Sequence, residues 1–171
     1  MSVAPTLTPP SAPEGRSLTN LLAGDVKVKV SSGPSKSAKN ILDDSTETCW
    51  TSDNLPPNSD PSTARYNITF KLAQPIAVRD LHSLSLTFAG GFSPMSFNIS
   101  SSEEDGKTWS PLGGDLFPSD TNAKQYFDVS RMVQAEEEAK MVKWLRLELQ
   151  GSTDDYGRMT IYQAEIFVSS A

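Results

Sequence analysis

Arg65 to Leu72 reads Arg-Tyr-Asn-Ile-Thr-Phe-Lys-Leu, and its alternation decides the fold class. Successive side chains of a strand point to opposite faces, so Tyr66, Ile68, Phe70 and Leu72 share one face and Asn67, Thr69 and Lys71 the other. The same period of two recurs upstream in Asp25 to Val30 (DVKVKV), with Val26, Val28 and Val30 on one face, and downstream in Leu81 to Phe88 (LHSLSLTF), with Leu84, Leu86 and Phe88 in step. Met95 to Ser100, Lys124 to Val129, Lys143 to Leu149 and Thr160 to Val168 add four candidate strands. In the third of these, Trp144, Leu145, Leu147 and Leu149 are read as mostly inward. Chain reversals are expected at Gln74-Pro75 and Gly90-Gly91, because proline fixes φ and glycine tolerates positive φ. Many short strands separated by turn signals predict an all-β antiparallel sandwich.

Two stretches depart from the strand period. Val129 to Lys143 is rich in helix formers, with Ser130 placed as an N-cap, and predicts a short helix on the rim. Ser17 to Leu22 (SLTNLL) fits either a helical turn capped by Ser17 or an apolar strap under the sheet. Residues 1–16 are dominated by Pro, Ser, Thr and Ala, with too little apolar surface to offset the entropy of ordering, so a disordered tail is expected before a single domain over 17–171.

Composition narrows the function. A formal charge of −6 argues against nucleic acid as a ligand, since that affinity comes mainly from Lys and Arg neutralising phosphates. The single cysteine, Cys49, allows no internal disulfide, which fits a reducing compartment, cytoplasmic or nuclear. No apolar stretch approaches the ~18 residues needed to span a bilayer, and no secretory leader pattern opens the sequence, so no membrane partner is expected. The sequons at Asn67 and Asn98 fall inside predicted strands and read as chance matches. One histidine, His82, within a predicted strand, and Cys49 in a packed segment offer no nucleophile–base pair, and the paired acids sit on turns, so no enzyme is expected.

Three segments carry a resemblance: NILDDSTETCW (40–50) followed by RYNITFKLAQPIAV; SSEEDGKTWSPL (101–112); and KWLRLEL (143–149) leading to GRMTIYQAEIFV (157–168). Together they resemble the discoidin, or coagulation-factor type C, domain, which implies an eight-stranded jelly-roll sandwich of the galactose-binding-like kind from about 25 to 169. Within that superfamily FAGGF (88–92), LFPSDTN (116–122) and STDDYGRMTIY (152–162) resemble the small nuclear-receptor-associated repressor proteins. The resemblance implies a protein partner and a role in transcriptional regulation. It also implies a structural calcium, held by Asp43, Thr48 and Glu165 with backbone carbonyls near Ile41 and Ser45. Against the calcium stands a plain Asx turn, in which Asp43 or Asp44 hydrogen-bonds its own backbone.

The resemblance further brings the 51–64, 89–94 and 151–158 loops to one end of the sandwich. Phe92, after Gly90-Gly91, and Tyr156 with Arg158, Asp154 and Asp155 around Gly157, place aromatics and charges on loops, with Asn54 nearby. Aromatic and Arg side chains are the usual anchors of protein interfaces. The other reading has Phe92 and Tyr156 folding back to plug the sandwich end. Trp50 and Trp144 are read as core, and Trp109, after Asp105-Gly106, as packing across a hairpin. The expected function is a non-enzymatic protein-interaction module. A carbohydrate-binding module, or a subunit of a larger intracellular assembly, is the alternative.

Overall fold

The computed structural model describes residues 4–171. Ten strands form two five-stranded antiparallel sheets. The first contains β1 (Ser17–Asn20), β3 (Trp50–Thr51), β5 (Leu81–Phe88), β8 (Gln125–Asp128) and β10 (Thr160–Ser170), in the order β1-β10-β5-β8 with β3 also on β10. The second runs β2 (Lys27–Val30), β4 (Arg65–Ala77), β9 (Met141–Ser152), β6 (Pro94–Ser102), β7 (Ser110–Pro111). Eight strands have four residues or more; seven of them match the candidate segments, and β1, β3 and β7 are additions, the last two of only two residues each.

Alternation works as the sequence requires. Ile68, Phe70 and Leu72 of β4 and Leu145, Leu147 and Leu149 of β9 face Leu84, Leu86 and Phe88 of β5 and Ile161, Ala164 and Ile166 of β10, all buried. Each buried Leu, Ile or Phe side chain contributes about 1.5–3 kcal/mol of transfer free energy. Two aromatic pairs stitch the sheets together: Phe97 against Phe127, edge-on at 5.1 Å, and Trp50 against Tyr66 at 6.5 Å. Trp50 is fully buried, and its indole N–H donates to the Ser32 carbonyl at 2.9 Å.

Several local expectations are corrected. Gln74-Pro75 does not reverse the chain: β4 continues to Ala77 through a register shift between Lys71 and Ile76, where proline's missing N–H costs no ladder bond. The reversal falls instead at a 3-10 turn over Val78–Asp80. Ser17 to Asn20 is strand β1, and the 3-10 turn after it (Leu21–Ala23) is capped by Asn20, whose side chain accepts from the Leu22 N–H. The rim helix is a single turn, α1 (Ala135–Glu138), preceded by Gln134; Ser130 bonds to Asp128 instead of capping it. Trp144 is not core. It lies half-buried on the outer face of β9, its N–H on the Glu104 carbonyl and the Lys71 ammonium 5.3 Å from a ring centre. The run of β9 places Leu145, Leu147 and Leu149 inward, so residue 144 must point outward. Trp109 lies under Arg146, whose guanidinium carbon is 3.9 Å from the ring centre.

Met1 to Val3 of the N-terminal tail lie outside the described residues. Residues 4–16 cross from one edge of the first sheet to the other: Thr6 and Tyr126 exchange both backbone bonds at 2.9 and 2.8 Å, and Arg16 reaches Ser169 and Asp80. Among the described residues, no helix is long and apolar enough to cross a membrane.

Candidate functional site at the loop end

Asp154 organises the loop between β9 and β10. Its backbone carbonyl accepts from the Gly157 N–H, closing a turn, and its carboxylate accepts from the Tyr156 and Arg158 N–H groups at 3.2 and 3.1 Å. The same carboxylate grips the Arg158 guanidinium through Nε at 3.0 Å and Nη2 at 3.3 Å, the two-point geometry that holds an Arg in one orientation. Burial acts most on Asp154, pushing its carboxyl up, but the Arg158 side chain, the Arg158 N–H, the guanidinium charge and the Tyr156 N–H together outweigh it and hold the carboxyl below the usual carboxylate range. Arg158 moves reciprocally upward, chiefly through its bond to Asp154. So fixed, the guanidinium lies 5.1 Å from the Phe92 ring centre and 5.6 Å from that of Tyr156, a cation between two aromatic rings.

Neighbouring loops brace this arrangement. The Leu55 N–H donates to the Tyr156 carbonyl at 2.8 Å, and the Tyr66 hydroxyl reaches the carbonyls of Gly157 (2.7 Å) and Asp53 (3.2 Å). Gly157 has φ +79, and a Cβ there would meet Leu55 Cδ1 at 2.5 Å, so the turn needs glycine both for its backbone and for its neighbour. On the other side, the Thr153 N–H donates to the Ser93 carbonyl and the Thr160 N–H to the Phe92 carbonyl. The 51–64, 89–94 and 151–158 loops therefore meet at one end of the sandwich. Phe92 is half-buried, while Tyr156 is 65% exposed and points away from the core, so it plugs nothing. Asp155 and Asn54 are exposed on the same loops.

A fourth loop belongs here that the sequence reading did not count. Asp120 Oδ1 accepts from the Gly91 N–H (2.8 Å), the Ser93 hydroxyl (2.8 Å) and the Thr153 hydroxyl (3.4 Å), and Asn122 Oδ1 accepts from the Gly90 N–H at 2.6 Å. The signal was present in Asp120-Thr121-Asn122, since Asp and Asn in a loop serve exposed backbone N–H groups. This loop also carries Phe117, 54% exposed, next to Leu116, which bridges to Phe97 two positions beyond Met95, 47% exposed. Met95 lies against Gly151 at the head of the 151–158 loop.

The residues considered for calcium are engaged separately. Asp43 accepts from the Ser45 N–H (3.0 Å) and the Thr48 hydroxyl (3.3 Å), an Asx turn closed by its own neighbours. Glu165 is bound by Lys124 and by the Ser85 hydroxyl. Among the described residues, no three His, Cys, Asp or Glu side chains gather in a way that would hold a metal. His82 pairs with the Ser83 hydroxyl, and Cys49 Sγ lies 4.0 Å from Thr51 Oγ1. A cavity of 650 Å³ is bordered by Glu103, Glu104, Asp105, Lys140 and Met141, none of them a loop-end residue. Of these, Asp105 is spent on the Lys107 and Thr108 N–H groups and the Ser102 hydroxyl, which hold it well below the usual carboxylate range.

This sandwich is the galactose-binding-like fold of F5/8 type C, or discoidin, domains. Superposition on the F5/8 type C domain of a Bacteroides fragilis protein gives a TM-score of 0.65 at 16% identity, covering 93% of this chain and all of that one. Chitosan-binding module 1 of a chitosanase/glucanase from Paenibacillus sp. IK-5 gives 0.61 at 16% identity, covering 86% and 98%. In sequence, the chain is similar to the nuclear receptor 2C2-associated protein of Xenopus laevis, 29% identical over 154 residues that span 87% of this chain and 98% of the relative. The zebrafish protein of the same name is 26% identical over 152 residues, 86% and 94% of the two chains. No family model matches.

Proposed function

We propose that this chain is a non-enzymatic protein-interaction module that engages its partner through the loop end, and that the partner is a nuclear receptor. The observation that carries this reading is the Phe92–Arg158–Tyr156 sandwich with Asp154 locked onto the Arg. It presents an exposed ring and a cation whose rotamer freedom is already spent, so binding loses little further entropy there. Met95, Phe117 and Tyr156, three of the five large apolar side chains exposed among the described residues, sit on the segments that converge there. Exposed aromatic and apolar groups around a fixed Arg are what a protein interface uses as anchors. The choice of receptor rests on the names of the similar proteins.

The test is biolayer interferometry of the purified chain on immobilised nuclear receptor 2C2. Saturable binding weakened at least about tenfold by Tyr156→Ala and by Arg158→Ala, about 1.4 kcal/mol each, supports the proposal; unaltered binding, or none, refutes it. A second reading, glycan binding at the same end, is favoured by the exposed Tyr156 ring, on which a sugar face can stack, and by fold neighbours such as the chitosan-binding module. Binding to a glycan array that Tyr156→Ala abolishes, with no receptor binding, would establish it instead.

A further inference from the structure

The edge strand β2 carries an unusual concentration of charge. Val26 to Leu42 holds four lysines, Lys27, Lys29, Lys36 and Lys39, and no acid, in a chain of formal charge −6. Every ion pair among the described residues is made by other cations: Arg16, Lys124, Lys140 and Arg158. Lys27 stands directly across the ladder from Lys71, whose ammonium lies over the Trp144 ring.

Beside this strand runs a groove of 430 Å³, walled by Lys27 on one side and by Lys36 and Lys39 of the 3-10 segment Ser35–Leu42 on the other, with Val26, Val28 and Leu42 as its half-buried apolar floor. β2 ends its sheet and pairs only with β4, so alternate residues of Lys27–Val30 turn their N–H and C=O groups outward. Among the described residues, none of those groups enters a backbone bond outside the ladder.

We propose that this groove receives an extended acidic segment of a partner protein, added to β2 as a further strand. The surface shares no residue with the loop-end platform and does not depend on it. An added strand presents side chains alternately to its two faces. Acidic residues at every second position meet Lys27 on the outer face, and the apolar residues between them lie on Val26, Val28 and Leu42, with Lys36 and Lys39 of the Ser35–Leu42 segment along the far rim. A single-stranded nucleic acid would supply negative charge too, but such strands are held by stacking their bases on aromatic rings, and the groove is lined by none.

The probe is a short fluorescein-labelled peptide of alternating Glu and Val, with a Lys/Val peptide and a single-stranded oligonucleotide for comparison. In fluorescence anisotropy the full chain binds the Glu/Val peptide, more weakly as salt rises. Lys27→Glu with Lys36→Glu and Lys39→Glu weakens it at least about tenfold at unchanged melting temperature, whereas Tyr156→Ala leaves it as it was. Amide exchange at Lys27–Val30 slows when the peptide is present. Because the replaced side chains are exposed or on a groove rim, the triple variant is expected to fold. Should it not, single Lys36→Gln and Lys39→Gln variants carry the same test with smaller losses. The proposal is overturned if the peptide does not bind, if the Lys/Val peptide or the oligonucleotide binds as tightly, if Tyr156→Ala removes the binding, or if the lysines prove instead to mediate self-association in sedimentation.

Discussion

Replacing Gly157 with Ala tests whether the loop end is held as rigidly as its contacts imply. Two costs arise from independent observations. At φ +79 an L-residue is in the left-handed region, about 1–2 kcal/mol less favourable for Ala than for Gly. The new methyl also lands 2.5 Å from Leu55 Cδ1 and Cγ, an overlap worth about 1–2 kcal/mol after the half-buried leucine gives way. The sum, about 2–4 kcal/mol, corresponds in a chain of this length to a melting temperature lower by about 5–15 °C. A double-mutant cycle with Leu55→Ala separates the two: the steric part is relieved, so Gly157→Ala costs less on the Leu55→Ala background, by about 1 kcal/mol. The assay is urea denaturation of the four proteins followed by tryptophan fluorescence. A loss under about 1 kcal/mol for Gly157→Ala, or strict additivity in the cycle, would refute the reasoning, because the loops would then be yielding freely around residue 157.

Further outcomes follow from the same contacts. The folded-state carboxyl of Asp154 titrates below its unfolded value, so its stabilising contribution is complete above about pH 4 and is lost as pH falls toward the lower folded value; in Asp154→Asn the urea midpoint declines less steeply over that acid range. Asp120→Ala removes the acceptor for the Gly91 N–H and the Ser93 hydroxyl at an exposed site, so about 1 kcal/mol is expected, with hydrogen exchange accelerating at Gly91 while the β5 amides stay protected. Trp50→Phe leaves the Ser32 carbonyl without its indole donor and opens space between the sheets, lowering stability by about 1–3 kcal/mol in thermal melts.

The sequence was most legible where a strand has one wet and one dry face. β2, β4 and β5 read off their alternation, with Val26, Val28 and Val30, then Tyr66, Ile68, Phe70 and Leu72, then Leu84, Leu86 and Phe88 turned toward the core. It misled where periodicity was ambiguous or where tertiary context overrode a local signal. In KWLRLEL the two adjacent apolar residues Trp144 and Leu145 allow two phases, and only the registry of Leu145, Leu147 and Leu149 with β4 puts Trp144 outside. Gln74-Pro75 looked like a turn because proline is compatible with either a turn or a bulge, and only the ladder to β9 distinguishes them. At the loop end the sequence pointed to Phe92, Tyr156 and Arg158 as aromatic and cationic outliers on loops. That Asp154, and not Asp155, clamps the Arg depends on the turn closed between Asp154 and Gly157. Asp120-Thr121-Asn122 marks a loop that can serve backbone N–H groups, but which groups it serves, those of Gly91 and Ser93, is a contact across more than twenty-five residues that the local pattern does not encode. The lysine groove was hidden for the opposite reason: DVKVKV reads as an ordinary half-wet strand until β2 is found at the border of its sheet.

The pairing of β1 with β10 sets Ser17 opposite Ser170, so the start of β1 and the end of β10 lie side by side. Thr160, where β10 begins, is tied to Phe92 at the loop end, and the eleven residues of β10 carry the chain away from it by about 35 Å. A surface, tag or neighbouring domain tethered beyond Ser170 thus stands far from Tyr156. Immobilising the protein there leaves the loop end facing solution, free to meet whatever is brought to it.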